Sequence, residues 1–159
     1  MCLVPRQRLA SGVNFTVLVT ALIVTAIDAL TKAWARRALS DHAVHVVGVI
    51  WLRLQYNAGI SFSLNRSGPL VTTLVTAVVA LVVAVVALRA RRGLPALGFG
   101  LLIGGGVANL TDRLAASPHE VTDFLAVSSF PVFNLADAAI TIGFVVLLVA
   151  ALRGEKLLM

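Results

Sequence analysis

The chain has 159 residues, of which 59% are hydrophobic and 13% are charged, and its mean hydropathy is +0.97. A soluble domain of this size could not bury the long apolar runs in the sequence, so a soluble protein is excluded. The formal net charge of +6 fits attraction to the anionic headgroups of membrane lipids, and we expect no nucleic-acid partner.

Four apolar segments approach the length of about 20 residues that a helix needs to cross a bilayer core. We predict a helix in each, because backbone polar groups in lipid must bond within their own segment and the alternating pattern of a membrane barrel is missing. The segments run from about Val13 to Leu30, Pro69 to Leu88, Leu94 to Leu110 and Ala136 to Leu152. The predicted fold class is an all-α membrane protein, folded as one domain over residues 1–159.

The first apolar segment follows basic residues, as in a signal peptide, but no small-residue cleavage signature closes it. We therefore expect a retained first helix and a mature chain that starts near Met1. Four spans place both termini on one side of the membrane. Basic residues in short segments flush with helix ends mark that side as cytoplasmic. The seven Lys and Arg residues assigned to it are Arg6, Arg8, Arg89, Arg91, Arg92, Arg153 and Lys156, against six on the other side.

Two segments outside the spans fall on the extracytoplasmic side. His45 to Tyr56 is rich in β-branched and aromatic residues, and Trp51 to Tyr56 alternates in part between apolar and polar residues, which predicts a small β-sheet. Thr111 to Phe133 contains Pro118 within a polar run, which predicts a loop or short helix over the outer mouth of the bundle.

Asp123 and Asp137, fourteen positions apart, are acids in an otherwise apolar chain. A carboxylate costs roughly 2.5 to 3.5 kcal/mol at the centre of a membrane, so its presence calls for a reason. Two close carboxylates share a proton, which prepares a general acid and a general base without a metal. The positive end of a helix favours the charged form of Asp137, so we assign the base to Asp137 and the proton to Asp123.

Asn134 and Asp137 also have the spacing of an N-cap and a first-turn acid at the start of the fourth segment. This structural role alone would explain both residues. It is compatible with a catalytic role for Asp137, so both interpretations stay open.

Two further pairs are spaced four residues apart, as ion pairs and hydrogen bonds on a helix are. Asp28 precedes Lys32, and Asn109 precedes Arg113, with Asp112 beside them. We interpret both pairs as structural groups that steady the site. Arg113 has the alternative of binding a lipid phosphate or a substrate carbonyl group.

We expect no metal ion and no cofactor. His42 and His45 beside Asp41 are too few ligands in one loop and are typical of surface residues. The run from Gly104 to Gly106 lacks a preceding strand, so close helix packing explains it better than a nucleotide site.

Five motifs in this order resemble the lipoprotein signal peptidase (signal peptidase II) family, over nearly the whole chain. They are Asp28 to Lys32 (DALTK), Asn57 to Ser63 (NAGISFS), Asn109 to Arg113 (NLTDR), Val121 to Phe124 (VTDF) and Phe133 to Gly143 (FNLADAAITIG). Ala29 and Thr122 depart from the family pattern; the second stands beside Asp123 and bears on its hydrogen bonding.

The resemblance implies a membrane aspartyl endopeptidase of the bacterial inner membrane, a monomer with its site near the extracytoplasmic face. Its substrate would be a diacylglyceryl-modified prolipoprotein, cut on the N-terminal side of the lipidated cysteine. The implied residues are the catalytic dyad Asp123 and Asp137, the site residues Asn57, Asn109, Arg113 and Asn134, and the supporting pair Asp28 and Lys32. The rival classes are a small proton-coupled transporter, disfavoured because no repeat is visible and the acids gather at one face, and a non-enzymatic membrane subunit.

Overall fold

The computed structural model describes residues 14–59, 68–116 and 119–159. In chain order the elements are α1 (Phe15–Ala38), β1 (Val44–Val47), β2 (Ile50–Asn57), α2 (Gly68–Ala87), α3 (Leu94–Ala115), β3 (Val121–Val127) and α4 (Leu135–Leu152). The sequence predictions at Met1, Arg6, Arg8, Val13, residues 60–63 and Pro118 lie outside the described residues.

The four predicted spans are confirmed, since each of the four helices is long and apolar enough to cross a membrane. α1 runs eight residues beyond the predicted end at Leu30, up to Ala38. The charge of Lys32 in this extension interrupts the apolar run in the sequence. The helix continues because Lys32 is buried and paired with Asp28. Arg36 and Arg37 in the last turn complement the negative end of the helix dipole.

α3 lies at the centre of the bundle and packs against α1, α2 and α4. Its glycines allow the neighbouring backbones to come close: a Cβ on Gly104 would lie 2.8 Å from the carbonyl oxygen of Ala21, and one on Gly105 would lie 2.5 Å from that of Ala136. Small residues at helix interfaces permit this approach in membranes. The packing explanation of this glycine run is confirmed at these two positions.

The predicted small sheet is confirmed as three antiparallel strands in the order β1-β2-β3. One end of α1 supports it, because Ala35 and Leu39 form a buried cluster with Phe124 of β3. The ring of Trp34 contacts the ring of Phe124 edge to face at 6.3 Å. This packing fixes β3 over the ends of the helices.

The prediction for the second outer segment was wrong in part. α3 continues to Ala115, and residues 121–127 form β3 where a loop or short helix was expected. Residues 121–124 of this strand are all buried, so the alternation by which a strand is recognised is missing. Its partner β2 comes more than sixty residues earlier, out of reach of any local pattern.

The start of α1 and the C-terminal residues lie at the opposite end of the bundle from the sheet. The α2–α3 turn pairs there with the C-terminal residues, through an antiparallel bridge between Ala90 and Leu158. The side-chain amide of Asn14, the N-cap of α1, donates to the carbonyl oxygen of Ala90 at 3.4 Å. The sheet therefore lies on the opposite side of any membrane that the helices cross from the start of α1 and the C-terminal residues.

Candidate active site

Asp123 lies on β3 with its side chain fully buried. Two side-chain amides donate to its carboxylate: Asn57 of β2 to Oδ2 at 2.9 Å, and Asn134 to Oδ1 at 2.6 Å. Asn57 also accepts a 2.8 Å hydrogen bond from the backbone N–H of Gly59. The chain after β2 thereby holds Asn57 against the carboxylate.

Asp137 lies in the first turn of α4 and is partly exposed. Its backbone N–H donates to Asn134 Oδ1 at 2.9 Å, and its Oδ2 accepts from the backbone N–H of Asn134 at 3.2 Å. Asn134 is therefore the N-cap of α4, in a reciprocal capping box. The capping interpretation is confirmed, and the carboxylate remains accessible for chemistry.

Asn109 of α3 connects the supporting pair to the second aspartate. Its amide donates to Asp137 Oδ1 at 2.8 Å, and its oxygen accepts from Asn134 at 3.2 Å and from Lys32 at 2.8 Å. The expected pairing of Asn109 with Arg113 is not formed within the described part of the chain. The Asn109 amide donates to Asp137 of α4 instead. A spacing of four residues on one helix does not predict a contact with another helix.

Asp28 and Lys32 form the predicted ion pair at 2.7 Å, and each side chain is only 1% exposed. Asp28 also accepts a 2.8 Å hydrogen bond from the backbone N–H of Ala136. The pair thus ties α1 to the N-terminus of α4, one residue before Asp137. The buried charge pair can therefore hold the start of α4, and with it Asp137, in place through the backbone of Ala136.

Arg113 is 7% exposed, and its Nε has no hydrogen-bond partner among the residues described here. It lies close enough to Asp123 and Asp137 to interact electrostatically with both carboxylates. Gly59, with φ of +84°, makes room for it, since a Cβ there would lie 3.0 Å from Arg113 Nη2. A buried donor without an acceptor beside two acids is suited to an oxygen atom of a bound molecule.

Asp112 and Arg36 were not assigned to the site from the sequence. Asp112 lies 3.4 Å from Lys32 Nζ, and its Oδ2 accepts from the backbone N–H of Thr122 at 2.9 Å. Arg36 of α1 donates to Thr122 Oγ1 at 2.9 Å. Thr122 lies 10 positions from Asp112 and 86 positions from Arg36 in the chain. Local spacing therefore predicts neither contact, and only the motif from Asn109 to Arg113 drew attention to Asp112.

Burial raises the pKa of Asp123 from its ordinary value to about 6, and the charge of Asp137 adds to this effect. The hydrogen bonds from Asn57 and Asn134 and the charge of Lys32 act in the opposite direction. A buried carboxyl with a raised pKa is suited to hold a proton, and Asn134 links it to the accessible carboxyl of Asp137. Two carboxyl groups in such different surroundings are suited to act as an acid and a base.

A cavity of about 580 Å³ lies beside the second aspartate. Its lining is mostly apolar, with Asp137 and Asn57 among the few polar groups. The full set of lining residues is Asn57, Phe130, Pro131, Val132, Phe133, Asp137, Ala138, Thr141 and Ile142. A mainly apolar cavity with a few polar groups is typical of a ligand site.

Known proteins share this sequence pattern and this fold. The model of the signal peptidase (SPase) II family matches residues 20–153. The lipoprotein signal peptidase of Gloeobacter violaceus is 39% identical over 142 residues, which cover 86% of this chain and 81% of that protein. The lipoprotein signal peptidase of Rhodococcus jostii is 35% identical over 156 residues, covering 94% and 79%.

Two solved structures, each described as a bacterial membrane enzyme determined by the in meso method, at 2.3 and 1.9 Å resolution, share the fold. Their TM-scores are 0.75 and 0.76 at 22% and 23% identity, over 87% of this chain and 88% and 93% of theirs. The fold follows from these likenesses, and the family follows from the match over most of the sequence. The chain is a multi-pass membrane protein that belongs to the signal peptidase II family.

Proposed function

We propose that this protein is an aspartyl endopeptidase that removes signal peptides from diacylglyceryl-modified bacterial prolipoproteins, cutting on the N-terminal side of the lipidated cysteine. The observation that carries the proposal is the pairing of a buried Asp123, whose pKa burial raises, with an accessible Asp137 through Asn134. Membership of a peptidase family supports the reaction class, and two linked carboxyl groups beside a cavity support the choice of an aspartyl mechanism.

In the mechanism, charged Asp137 takes a proton from a water molecule, and the resulting hydroxide attacks the scissile carbonyl carbon. Protonated Asp123 donates its proton to the carbonyl oxygen, which gives a neutral tetrahedral gem-diol. Asp123 then takes a hydroxyl proton back while Asp137 gives its proton to the departing amine of the lipidated cysteine. The C–N bond breaks, a carboxylic acid is released, and both aspartates return to their starting states.

Arg113 and the apolar cavity serve the substrate in this proposal. The unpaired Nε of Arg113 donates to a substrate carbonyl oxygen near the dyad. The cavity accepts apolar substrate groups beside Asp137, since aromatic and aliphatic side chains form most of its lining. Exclusion of water from such a cavity strengthens each electrostatic contact within it.

We also propose that the termini face the cytoplasm and that the monomer acts in the bacterial inner membrane. The end of the bundle that carries the start of α1 and the C-terminal residues displays five exposed cations, Arg89, Arg91, Arg92, Arg153 and Lys156. Short basic segments at helix ends are retained on the cytoplasmic side. The dyad at the opposite end would then meet substrates at the outer face.

The test is cleavage of a diacylglyceryl-modified lipobox peptide by the purified full chain in detergent, with a metal chelator present. Asp123→Asn and Asp137→Asn should each lose at least about 10³-fold in kcat, the scale expected when an acid or base that acts in a unit is removed. Asp41→Asn is the matched control, because Asp41 is an exposed acid whose side chain bonds, in the described part of the chain, only to Ser40. Cleavage that survives in both dyad variants, or that requires a metal, would refute the mechanism.

A further inference from the structure

Thr122, the residue before Asp123, has each of its polar groups bonded to a different part of the bundle. Its Oγ1 accepts from Arg36 of α1 at 2.9 Å, and its backbone N–H donates to Asp112 of α3 at 2.9 Å. Its carbonyl oxygen accepts from the side chain of Asn134 at 3.4 Å. Thr122 itself is only 3% exposed, so its own atoms in these bonds are shielded from water.

The bonds of Thr122 bear directly on the position of Asp123. Adjacent residues of a strand point to opposite faces, so Thr122 faces α1 while Asp123 faces the site. The amide of Asn134 contacts the Thr122 carbonyl oxygen and Asp123 Oδ1 together. A displacement of Thr122 along the strand would therefore change both the backbone and the hydrogen bonding of Asp123.

Arg36 supplies the anchor for the Thr122 side chain. Its Nη1 also lies 3.5 Å from Asp112 Oδ1, with Arg36 40% exposed and Asp112 17% exposed. An exposed ion pair at this distance contributes little by itself. The shorter bond to the buried hydroxyl adds a hydrogen bond to the apolar packing that joins the end of α1 to β3.

We propose that Arg36 and Thr122 together form a positioning device that holds Asp123 in line with Asp137, so that the chemical step depends on a cation at the end of α1. The proposal rests on the proposed peptidase function. Neither residue contacts the cavity beside Asp137. Loss of their bond should lower kcat and leave the KM for the lipopeptide nearly unchanged.

The first arm of the test changes only the hydroxyl group. Thr122→Val keeps the shape and the strand preference of the side chain, and Thr122→Ser keeps the hydroxyl. We expect Thr122→Val to lower kcat by about tenfold, since a misplacement of 1 Å costs up to about 100-fold. KM should stay within about twofold of the native value, and Thr122→Ser should restore most of kcat.

The second arm removes the donor. Arg36→Met should reproduce the loss in kcat, and the double variant with Thr122→Val should lose no more than either single variant, because both remove the same bond. Arg37→Met is the matched control, since Arg37 is the neighbouring exposed cation and makes no side-chain bond to a described residue. It should retain native kcat.

The third arm reads the dyad without turnover, by infrared titration of the protonated carboxyl group in the purified chain. Weaker bonds from Asn57 and Asn134 should raise the titration midpoint in Thr122→Val and leave it unchanged in Thr122→Ser. Asp137, Lys32 and Arg113, the other charged groups around the carboxyl, are intact in these variants. If the midpoint shifts in Thr122→Val as expected but the native chain does not cleave the lipopeptide, the peptidase function alone is refuted.

Native kcat and an unmoved titration in Thr122→Val would overturn the proposal. Additive losses in the double variant would overturn it equally, because the two side chains would then act separately. If Thr122→Val lowers the unfolding temperature so far that it cannot be assayed, Arg36→Met decides, since its partly exposed side chain can be replaced without opening the core.

Discussion

Asn134 donates a 2.6 Å hydrogen bond from its side-chain amide to Asp123 Oδ1, and its backbone N–H donates to Asp137 Oδ2 at 3.2 Å. One residue therefore orients both carboxylates and caps the helix that carries the second. The cap uses Oδ1 and the backbone N–H of Asn134, whereas the contact with Asp123 uses its side-chain N–H, so the structural and the functional roles rest on different atoms of one residue.

The two roles of Asn134 can be separated by substitution. Asn134→Ala should lower stability by about 1 kcal/mol through loss of the cap and should also lower kcat by at least about 100-fold. Asn134→Ser should recover the cap, and hence the unfolding temperature, but its shorter side chain cannot reach Asp123. Thermal unfolding and lipopeptide cleavage measured on both variants check this. High activity in Asn134→Ser would show that capping alone matters.

The pH dependence of cleavage should report the titration of Asp123. Because its pKa is raised to about 6 and the proposed mechanism needs it protonated, kcat/KM should fall as the pH rises above about 6. Asp137 of α4, Lys32 of α1 and Arg113 of α3 are the charged groups that surround it. This decrease is the alkaline limb of the pH profile, and a pH series of kcat/KM on the lipopeptide measures it.

Asn57→Ala tests the assignment of that limb. The Asn57 hydrogen bond favours the charged form of Asp123, so its removal should raise the pKa of Asp123 and move the limb to higher pH. Asp41→Asn should leave the limb in place. A limb that moves to lower pH in Asn57→Ala would assign it to another group.

Removal of one partner from the buried ion pair of Asp28 and Lys32 should greatly lower the free energy of unfolding. Lys32→Met leaves the carboxylate of Asp28 buried without its partner and should cost about 3 to 5 kcal/mol of stability. The double variant with Asp28→Asn should be more stable than Lys32→Met alone, although Asn109 loses a bond in both. Thermal unfolding in detergent compares them. Equal unfolding temperatures would mean that the charge of Asp28 is solvated or protonated.

Gly59 and Gly48 form a matched pair for crowding at the site. Both have positive φ, of +84° and +54°, so an alanine at either strains the backbone by about 1 to 3 kcal/mol. A Cβ at Gly59 would also clash with Thr72 and approach Arg113, whereas nothing lies within 4 Å at Gly48. Gly59→Ala should therefore raise KM or abolish cleavage, and Gly48→Ala should cleave normally. Cleavage lost equally in both variants would indicate backbone strain alone.

Some relations within the site could be predicted because they are local. Asp28 with Lys32 and Asn134 with Asp137 are separated by one helical turn, and the structure forms both contacts. The prediction that paired Asn109 with Arg113 used the same spacing and was wrong. Both positions lie on α3, but the Asn109 amide is drawn to Asp137 and Lys32, which belong to other helices.

The sequence by itself determined that the chain has four membrane-spanning helices, that a segment between the first two forms part of a sheet, and which family it belongs to. These features follow from the length of apolar runs and from short motifs, which are properties of neighbouring residues. Only the tertiary structure decided that residues 121–127 form a strand, because a strand buried on both faces shows no alternation. It alone placed Arg36 on Thr122 and left Arg113 Nε without a partner among residues 14–59, 68–116 and 119–159. Contacts between distant elements depend on how the helices and the sheet pack, and they leave no mark on local spacing.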